Sequence, residues 1–188
     1  MIGSHHLRAQ QRNRLSSGGR IDRTAPLHFT YAGRRMQGYA GDTLASALLA
    51  NGVDVIGRSF KYGRPRGIMT AGVEEPNAIL QLGHHPATTV PNIRATEQSL
   101  YEGLSAGPVN GWPSADNDVM GVVGKVAGNL MTPGFYYKTF MFPKSRWETY
   151  ERFIRKAAGL GRAPTAVDPD AYDHVNAHAD VLVVGAGP

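Results

Sequence analysis

The clearest chemical signal in the sequence is a pair of glycines after a run of apolar residues. Residues 181–184 are Val-Leu-Val-Val, and Gly185-Ala-Gly187 follows them directly. A buried strand that runs into Gly-x-Gly is typical of a dinucleotide-binding βαβ unit, because the glycines allow a tight turn and a close approach of the backbone to a pyrophosphate. We predict that Gly185 and Gly187 begin such a motif, with the third glycine, the helix and the ribose-binding acid beyond residue 188. An ordinary buried strand that ends in a glycine turn is the alternative.

A second candidate is a basic loop over residues 58–66. It carries four cations in nine residues, with aromatic residues between them. Guanidinium groups bind phosphates through paired hydrogen bonds and stack on flat rings, so such a loop is a candidate cofactor site. The weaker candidates for cofactor binding are its three arginines, Arg58, Arg64 and Arg66. The alternative is a solvated loop whose charge is balanced by Glu74 and Glu75.

The composition excludes several other kinds of chemistry. The 188 residues contain no cysteine, which excludes disulfides, thiolate catalysis and any iron–sulfur cluster held by cysteines. The histidine pairs His5-His6 and His84-His85 suit a shared metal poorly, because neighbouring residues of a strand face opposite ways. No Ser, His and Asp group has the spacing of a catalytic triad. We therefore predict no catalytic and no metal-binding residue.

The formal net charge of +5 is concentrated at the amino-terminal end. Residues 1–35 contain seven arginines and one acid, whereas residues 36–188 contain thirteen lysines and arginines against fourteen acids. Residues 1–25 are polar and lack periodicity, which predicts a mobile basic arm, with an organellar transit peptide as the alternative. The near-neutral body argues against specific nucleic-acid binding, and no apolar run is long enough to predict a membrane span.

Periodicity predicts an α+β domain of β-grasp-like order over residues 26–105. The predicted elements are a hairpin over residues 27–39, a helix over residues 43–50, and strands over residues 53–56, 78–82 and 88–96. The hairpin turns at Ala32-Gly33, where a small residue precedes glycine. Asp42 is the predicted N-cap of the helix, and Asn51-Gly52 its C-terminal stop.

The second part of the chain is predicted as an extended segment over residues 106–178. Residues 103–144 are rich in glycine, proline and aromatic residues, so we expect an arm that lies across another surface. A helix follows, with Ser145 and Glu148 as a capping box. The remaining predictions are a linker over residues 162–178 and the first strand and glycine turn of a truncated dinucleotide-binding domain over residues 179–188.

Several of these stretches occur, in this order, in a known family. They are residues 41–52 (GDTLASALLANG), 57–62 (GRSFKY), 64–77 (RPRGIMTAGVEEPN), 133–143 (PGFYYKTFMFP), 154–161 (IRKAAGLG) and 180–188 (DVLVVGAGP). In these residues the sequence resembles the alpha subunits of heterotetrameric sarcosine oxidases. The resemblance covers roughly residues 26–188, and it identifies the chain as an amino-terminal fragment of such a subunit.

The resemblance implies a ferredoxin-like β-grasp domain, followed by the start of a dinucleotide-binding domain. It implies an αβγδ complex that demethylates sarcosine to glycine, passes electrons from FAD to FMN and then to oxygen, and so forms hydrogen peroxide. Tetrahydrofolate would accept the one-carbon unit, NAD and a shared FMN would belong to the alpha subunit, and FAD to a partner subunit. The segment itself is then expected to be a cytoplasmic docking module, inert alone, whose partners are the remainder of its subunit and the beta, gamma and delta subunits.

Related opine and amine dehydrogenases carry a true [2Fe-2S] domain at the corresponding place, so a module of an opine or N-alkyl amino acid dehydrogenase is the alternative. The C-x4-C-x2-C spacing of plant-type ferredoxins, laid on the loop after Gly67, falls approximately on Thr70, Glu75 and Ala78. A hydroxyl, a carboxylate and a methyl group cannot replace three thiolates. We therefore expect a ferredoxin frame without its cluster rather than an electron carrier. A stand-alone binding module is less favoured.

Overall fold

The computed structural model describes residues 11–59, 62–111, 114–119 and 143–185. The strands are β1 (Asp22–Tyr31), β2 (Arg34–Ala40), β3 (Gly57–Arg58), β4 (Pro65–Arg66), β5 (Ile79–Leu82), β6 (Val90–Arg94) and β7 (Ser105–Pro108). The helices are α1 (Leu44–Ala50) and α2 (Trp147–Ala158), the second preceded by a 3-10 turn over Lys144–Arg146. Within these ranges, none of the helices has the length and apolar character that a bilayer crossing requires.

Five strands form one mixed sheet in the order β2-β1-β7-β5-β6, and β3 pairs with β4 in a separate ribbon. The last strand among the described residues, β7, lies in the middle, parallel to β1 and antiparallel to β5. The core includes Phe29 and Leu80 of the sheet and Leu44 and Leu48 of α1, each at most 1% exposed. The mixed sheet with its few helices confirms the predicted α+β class.

The predicted hairpin forms with the expected register. Phe29 pairs with Met36, and Tyr31 pairs with Arg34. Ala32 and Gly33 both have positive φ, of 49° and 77°, which is the geometry of the two-residue turns that match the twist of a hairpin. The alternation of apolar and polar residues therefore identified both the strands and the face that is buried.

Helix α1 has a different cap from the one predicted. Thr43, not Asp42, is the N-cap, and it forms a capping box with Ser46. The backbone N–H groups of Leu44 and Ala45 donate to the carbonyls of Gln98 and Ala95, which attaches the first turn to the segment after β6. The prediction was wrong by one residue because Asp42 is engaged in a longer-range contact.

That contact is a buried ion pair between Arg14 and Asp42. The guanidinium donates to both carboxylate oxygens at 2.8 and 2.7 Å, and the Asp42 side chain is 0% exposed. Asp42 also accepts from the Ser46 hydroxyl and the Tyr39 N–H, and Arg14 lies 5.2 Å from the centre of the Tyr39 ring. Burial raises the pKa of the Asp42 carboxyl, but the hydrogen bonds from Arg14, Ser46 and Tyr39 outweigh it and hold that pKa below its ordinary value.

The prediction of a mobile basic arm over residues 1–25 is wrong for its second half. Strand β1 already begins at Asp22, and Asn13 donates its backbone N–H to the Ala50 carbonyl. Periodicity missed these residues because single long-range hydrogen bonds, rather than an apolar face, fix them. Residues 1–10 lie outside the described part of the chain.

The predicted set of strands needs two corrections. Residues 53–56 are not a strand, and the pairing instead joins Gly57–Arg58 to Pro65–Arg66, next to the fully buried Ile56. Strand β7 was not predicted, because Ser105–Pro108 contains no β-branched or aromatic residue. Since β7 is the central strand, the predicted domain boundary at residue 105 falls inside the sheet.

Helix α2 begins without its predicted capping box. Its N-cap is Arg146, which makes no side-chain cap hydrogen bond, because a 3-10 turn over Lys144–Arg146 precedes the helix. The helix ends as predicted at Gly159, whose left-handed backbone (φ 76°) lets its N–H reach the carbonyls of the last turn.

Part of the predicted linker after α2 contacts the sheet. Gln81 of β5 exchanges two hydrogen bonds with the backbone of Arg162, and Asn92 of β6 accepts from the N–H of Gly161. Thr165 donates its N–H to the Pro86 carbonyl at 2.8 Å. Residues 161–165 therefore lie along the β5–β6 side of the sheet.

The predicted terminal strand does not form, and the aromatic residues of the predicted arm cannot be compared with the structure. The arm residues Trp112, Phe135, Tyr136, Tyr137, Phe140 and Phe142 lie outside the described residues. Residues 181–184 form no strand, and their side chains are 78–87% exposed. A strand needs neighbouring strands for its hydrogen bonds, and no described strand pairs with this segment.

We expect the substitution Arg14→Ala to destabilise the fold by about 3 kcal/mol, since it leaves a buried carboxylate without its cation. The matched control is Arg12→Ala, which removes an exposed arginine 4.0 Å from an exposed Asp54. That control should leave the free energy of unfolding nearly unchanged. Urea unfolding of both variants measures the difference, and equal losses would contradict this role for the buried pair.

Candidate functional site

The centre of the candidate site is a buried carboxylate in the loop between β4 and β5. Glu75 is 1% exposed, whereas its neighbour Glu74 is exposed. The loop leaves the sheet after Arg66 and returns to it at Ile79. A buried carboxylate needs several donors to offset the loss of its hydration, so the loop must supply them.

The loop backbone supplies four of these donors. Oxygen Oε2 of Glu75 accepts the N–H groups of Met69 and Thr70, both at 2.7 Å. Oxygen Oε1 accepts the N–H groups of Asn77 and Ala78 at 2.8 and 3.1 Å. The Thr70 hydroxyl lies 3.3 Å from Oε2 as a fifth donor. The two sides of the loop are thus joined through one side chain.

The backbone of Glu75 extends the same network. Its N–H donates to the Gly72 carbonyl, and its own carbonyl accepts from the Arg94 guanidinium of β6 at 3.3 Å. Burial raises the pKa of the Glu75 carboxyl, but the N–H groups of Thr70, Asn77, Met69 and Ala78 outweigh it, so that pKa lies below its ordinary value. The group is therefore a buried anion at neutral pH.

The structure brings the three predicted cluster positions together. The backbone N–H groups of Thr70 and Ala78 both donate to the carboxylate of Glu75. Two of the three positions selected by the ferredoxin spacing therefore bind the side chain of the third. These residues do not fit an iron–sulfur cluster. The chain has no cysteine and can hold no such cluster, and a carboxylate fills the place between the loop backbones.

Of the three arginine candidates, Arg58 has a structural role. Its guanidinium donates to the carbonyls of Ala115, Asp116 and Gly63 at 2.6, 2.7 and 3.1 Å. Its backbone N–H and carbonyl both bind the side-chain amide of Asn110. Because its guanidinium donates to backbone carbonyls on both sides, Arg58 connects the basic loop to the segment after β7.

Arg64 and Arg66 line a shallow open groove of about 620 Å³, together with Tyr62, Met69 and Asn77. Both arginines are exposed; Arg64 lies 5.0 Å from the centre of the Tyr62 ring, and Arg66 donates to Asn77 at 2.9 Å. Met69, 73% exposed, is part of the lining and also donates its N–H to Glu75. The groove thus brings together Arg64 and Arg66, two of the three arginine candidates, and their cofactor role stays a prediction.

Neither glycine of the predicted dinucleotide motif is placed in a site. Gly185 has a positive φ of 92°, and a β-carbon added to it would meet no other atom within 4 Å. Gly187 lies outside the described residues, so the role of both glycines stays a prediction. Among the described residues, no three His, Asp or Glu side chains are grouped as metal ligands would be.

Sequence reasoning treated Glu75 as a balancing charge and as a lost cysteine, and it missed the role of its carboxylate. Glu74 and Glu75 are adjacent residues of one type, so no pattern distinguishes the exposed one from the buried one. The useful signal lies only in the position of Glu75, three residues before the buried Ala78, which directly precedes β5.

The five-stranded sheet and the β4–β5 loop lie in the part of the chain that is similar to a known domain family. Residues 24–111 match the family described as the 2Fe-2S iron-sulfur cluster binding domain. A solved structure of L-proline dehydrogenase from P. horikoshii is 20% identical, covers 48% of this chain and 16% of that chain, and has a TM-score of 0.34.

The chain is homologous to sarcosine oxidase alpha subunits. It is 56% identical over 176 residues to the sarcosine oxidase subunit alpha of Rhizobium meliloti (strain 1021), which covers 93% of this chain. It is 34% identical to the same subunit of Corynebacterium sp. (strain U-96) over 92% of the chain, and 34% identical to that of strain P-1 over 98%. The chain spans only 18%, 13% and 14% of these relatives' lengths.

The two buried carboxylates predict how stability depends on pH. Asp42 and Glu75 have ordinary pKa values of 3.8 and 4.5, and both are lowered by folding, so their stabilisation is present above those values and is lost as the pH falls further. The urea midpoint should therefore fall steeply below pH 4.5. The urea midpoints of the wild type and of Glu75→Gln should approach each other as the pH falls below 4.5. If the gap between the two midpoints does not change with pH, Glu75 is not a stabilising buried carboxylate.

The contacts of Arg58 predict that lysine cannot replace it. Arg58→Lys keeps the charge but loses the planar fork that binds three carbonyls, so we expect a loss of about 1–2 kcal/mol and a Tm lower by about 3–6 °C. Arg64→Lys is the control, because its side chain is exposed in the groove. Thermal unfolding by circular dichroism compares them, and equal Tm values would show that the fork is dispensable.

Proposed function

We propose that this chain is part of the alpha subunit of a sarcosine oxidase complex, in which its ferredoxin-like domain is a structural and docking module. The similarity to three sarcosine oxidase alpha subunits over 92–98% of the chain supports the assignment. The observation that carries the docking role is Glu75. A domain that fills the cluster position with a buried carboxylate has no redox centre, so it contributes its surface rather than electron transfer.

The proposed docking surface is the outer side of the β4–β5 loop together with the β3–β4 turn beside it. Its exposed apolar residues are Tyr62 of the turn and Met69 and Val73 of the loop, at 42%, 73% and 64% exposure. Arg64 and Arg66 line the groove together with Tyr62 and Met69. Exposed apolar side chains grouped with arginine are typical of the centre of a protein interface, where both gain from desolvation. The positive charge of Arg64 and Arg66 favours an acidic partner surface, because opposite charges guide two proteins toward each other.

The remainder of the proposed function follows the relatives. We infer that residues 179–188 belong to the first strand of a dinucleotide-binding domain, since four successive apolar side chains exposed by 78–87% need a neighbouring sheet to bury them. In the complex, the beta, gamma and delta subunits would be partners, NAD and FMN would be held with the alpha subunit, and FAD elsewhere. The reaction would convert sarcosine to glycine, with hydrogen peroxide as a product and tetrahydrofolate as the one-carbon acceptor. A cytoplasmic location stays a prediction.

Catalytic inertness of the isolated chain is the direct test of a module without chemistry. The purified 188-residue chain, incubated with sarcosine and oxygen, is expected to form no hydrogen peroxide above a blank. Isothermal titration with NAD should show no tight binding, because Gly185 has no phosphate-binding helix beside it in the described residues. Turnover of sarcosine by this chain alone would refute the proposal.

The docking surface has its own test. Charge reversal of Arg64 and Arg66 together, in the alpha subunit coexpressed with the other subunits, should lower the yield of assembled complex at least about tenfold, which corresponds to about 1.4 kcal/mol. The matched control is reversal of Arg34 and Arg35, two exposed arginines at the β1–β2 turn. Size-exclusion chromatography measures assembly. Equal yields from both double variants would exclude the groove as the docking surface.

A further inference from the structure

The β4–β5 loop is built as an anion-binding site. Backbone N–H groups of Met69 and Thr70 on one side, and of Asn77 and Ala78 on the other, converge on two oxygen atoms at 2.7–3.1 Å. Converging backbone N–H groups of this kind form concave sites for phosphates and for iron–sulfur centres. The loop therefore presents a preformed set of donors for a small anion.

The occupant of this site comes from the chain itself. The oxygens belong to Glu75, whose side chain is almost fully buried, and the adjacent Glu74 is exposed. The match to the 2Fe-2S family covers this loop, but the chain has no cysteine that could hold a cluster. An empty loop would leave at least four backbone donors without acceptors, and each buried unsatisfied donor destabilises a fold.

We propose that the Glu75 carboxylate is an internal replacement for the iron–sulfur cluster: it occupies the anion site of the loop and holds the loop in its folded form. The site accordingly accepts small carboxylates as a chemical class once the side chain is removed. One side chain reaches all four donors, because Glu75 is itself on the loop, between the two pairs of N–H groups. The charged groups around it are the Arg94 guanidinium, which binds its carbonyl, the Glu97 partner of Arg94, and the exposed Glu74.

Chemical rescue tests the proposal. Glu75→Ala removes a fragment equivalent to acetate, and it should lower the Tm by about 6–12 °C in chloride. Sodium acetate at the same ionic strength should restore part of this loss in a saturable manner, because a ligand that binds only the folded state raises its stability. Glu75→Gln should be destabilised without rescue, since its amide fills the space and faces the donors with its own N–H groups. Glu74→Ala is the matched control, with a Tm that neither the substitution nor acetate changes.

Two results of the rescue experiment would contradict the proposed role of Glu75. A Glu75→Ala variant as stable as the wild type, or one that acetate stabilises no more than chloride does, would overturn the proposal. If that variant does not fold, the wild-type chain still gives an answer by nuclear magnetic resonance. The carboxyl carbon of Glu75 and the amide protons of residues 69, 70, 77 and 78 should then shift together at one pH below 4.5. Independent titration of these amides would overturn the proposal as well.

Discussion

Two carboxylates that cannot reach water determine how the parts of this domain are joined. Burying a carboxylate is unfavourable unless charged or N–H groups converge on it, so each one fixes the chain segments that carry those donors. Asp42 fixes Arg14 to the start of α1, and Glu75 joins the two sides of the β4–β5 loop. The apolar core explains why the sheet and α1 pack together, whereas these carboxylates explain the path of the chain between them.

The elements with strong periodicity were predictable from the sequence, and those fixed by single polar contacts were not. The hairpin of β1 and β2 alternates apolar and polar residues, so both its register and its buried face could be derived. Strand β7 has the sequence Ser-Ala-Gly-Pro, and only its neighbours make it a strand. Likewise, nothing local shows that Arg14 finds a carboxylate 28 residues away.

The candidate site shows the same division between composition and geometry. The absence of cysteine excludes a cluster by composition alone, and the spacing of ferredoxin ligands points to Thr70, Glu75 and Ala78. That one of these residues binds the other two follows only from the fold, because the hydrogen bonds run from the backbone, whose direction the residue types do not determine. The arginines of the basic loop were recognisable as a group in the sequence, but their different roles were not. The guanidinium of Arg58 donates to backbone carbonyls, whereas Arg64 and Arg66 line the groove.

The order of the strands also has a consequence for synthesis on the ribosome. Among the described strands, β7 is the last to be translated, and it joins the β1–β2 hairpin to β5 and β6. Before residue 108 leaves the exit tunnel, the nascent chain holds two hairpins with unpaired inner edges, each a template for pairing with another chain. Closure of the sheet is then a late, non-local step, so the interval before it is when a nascent copy is most exposed to chaperones and to misassociation.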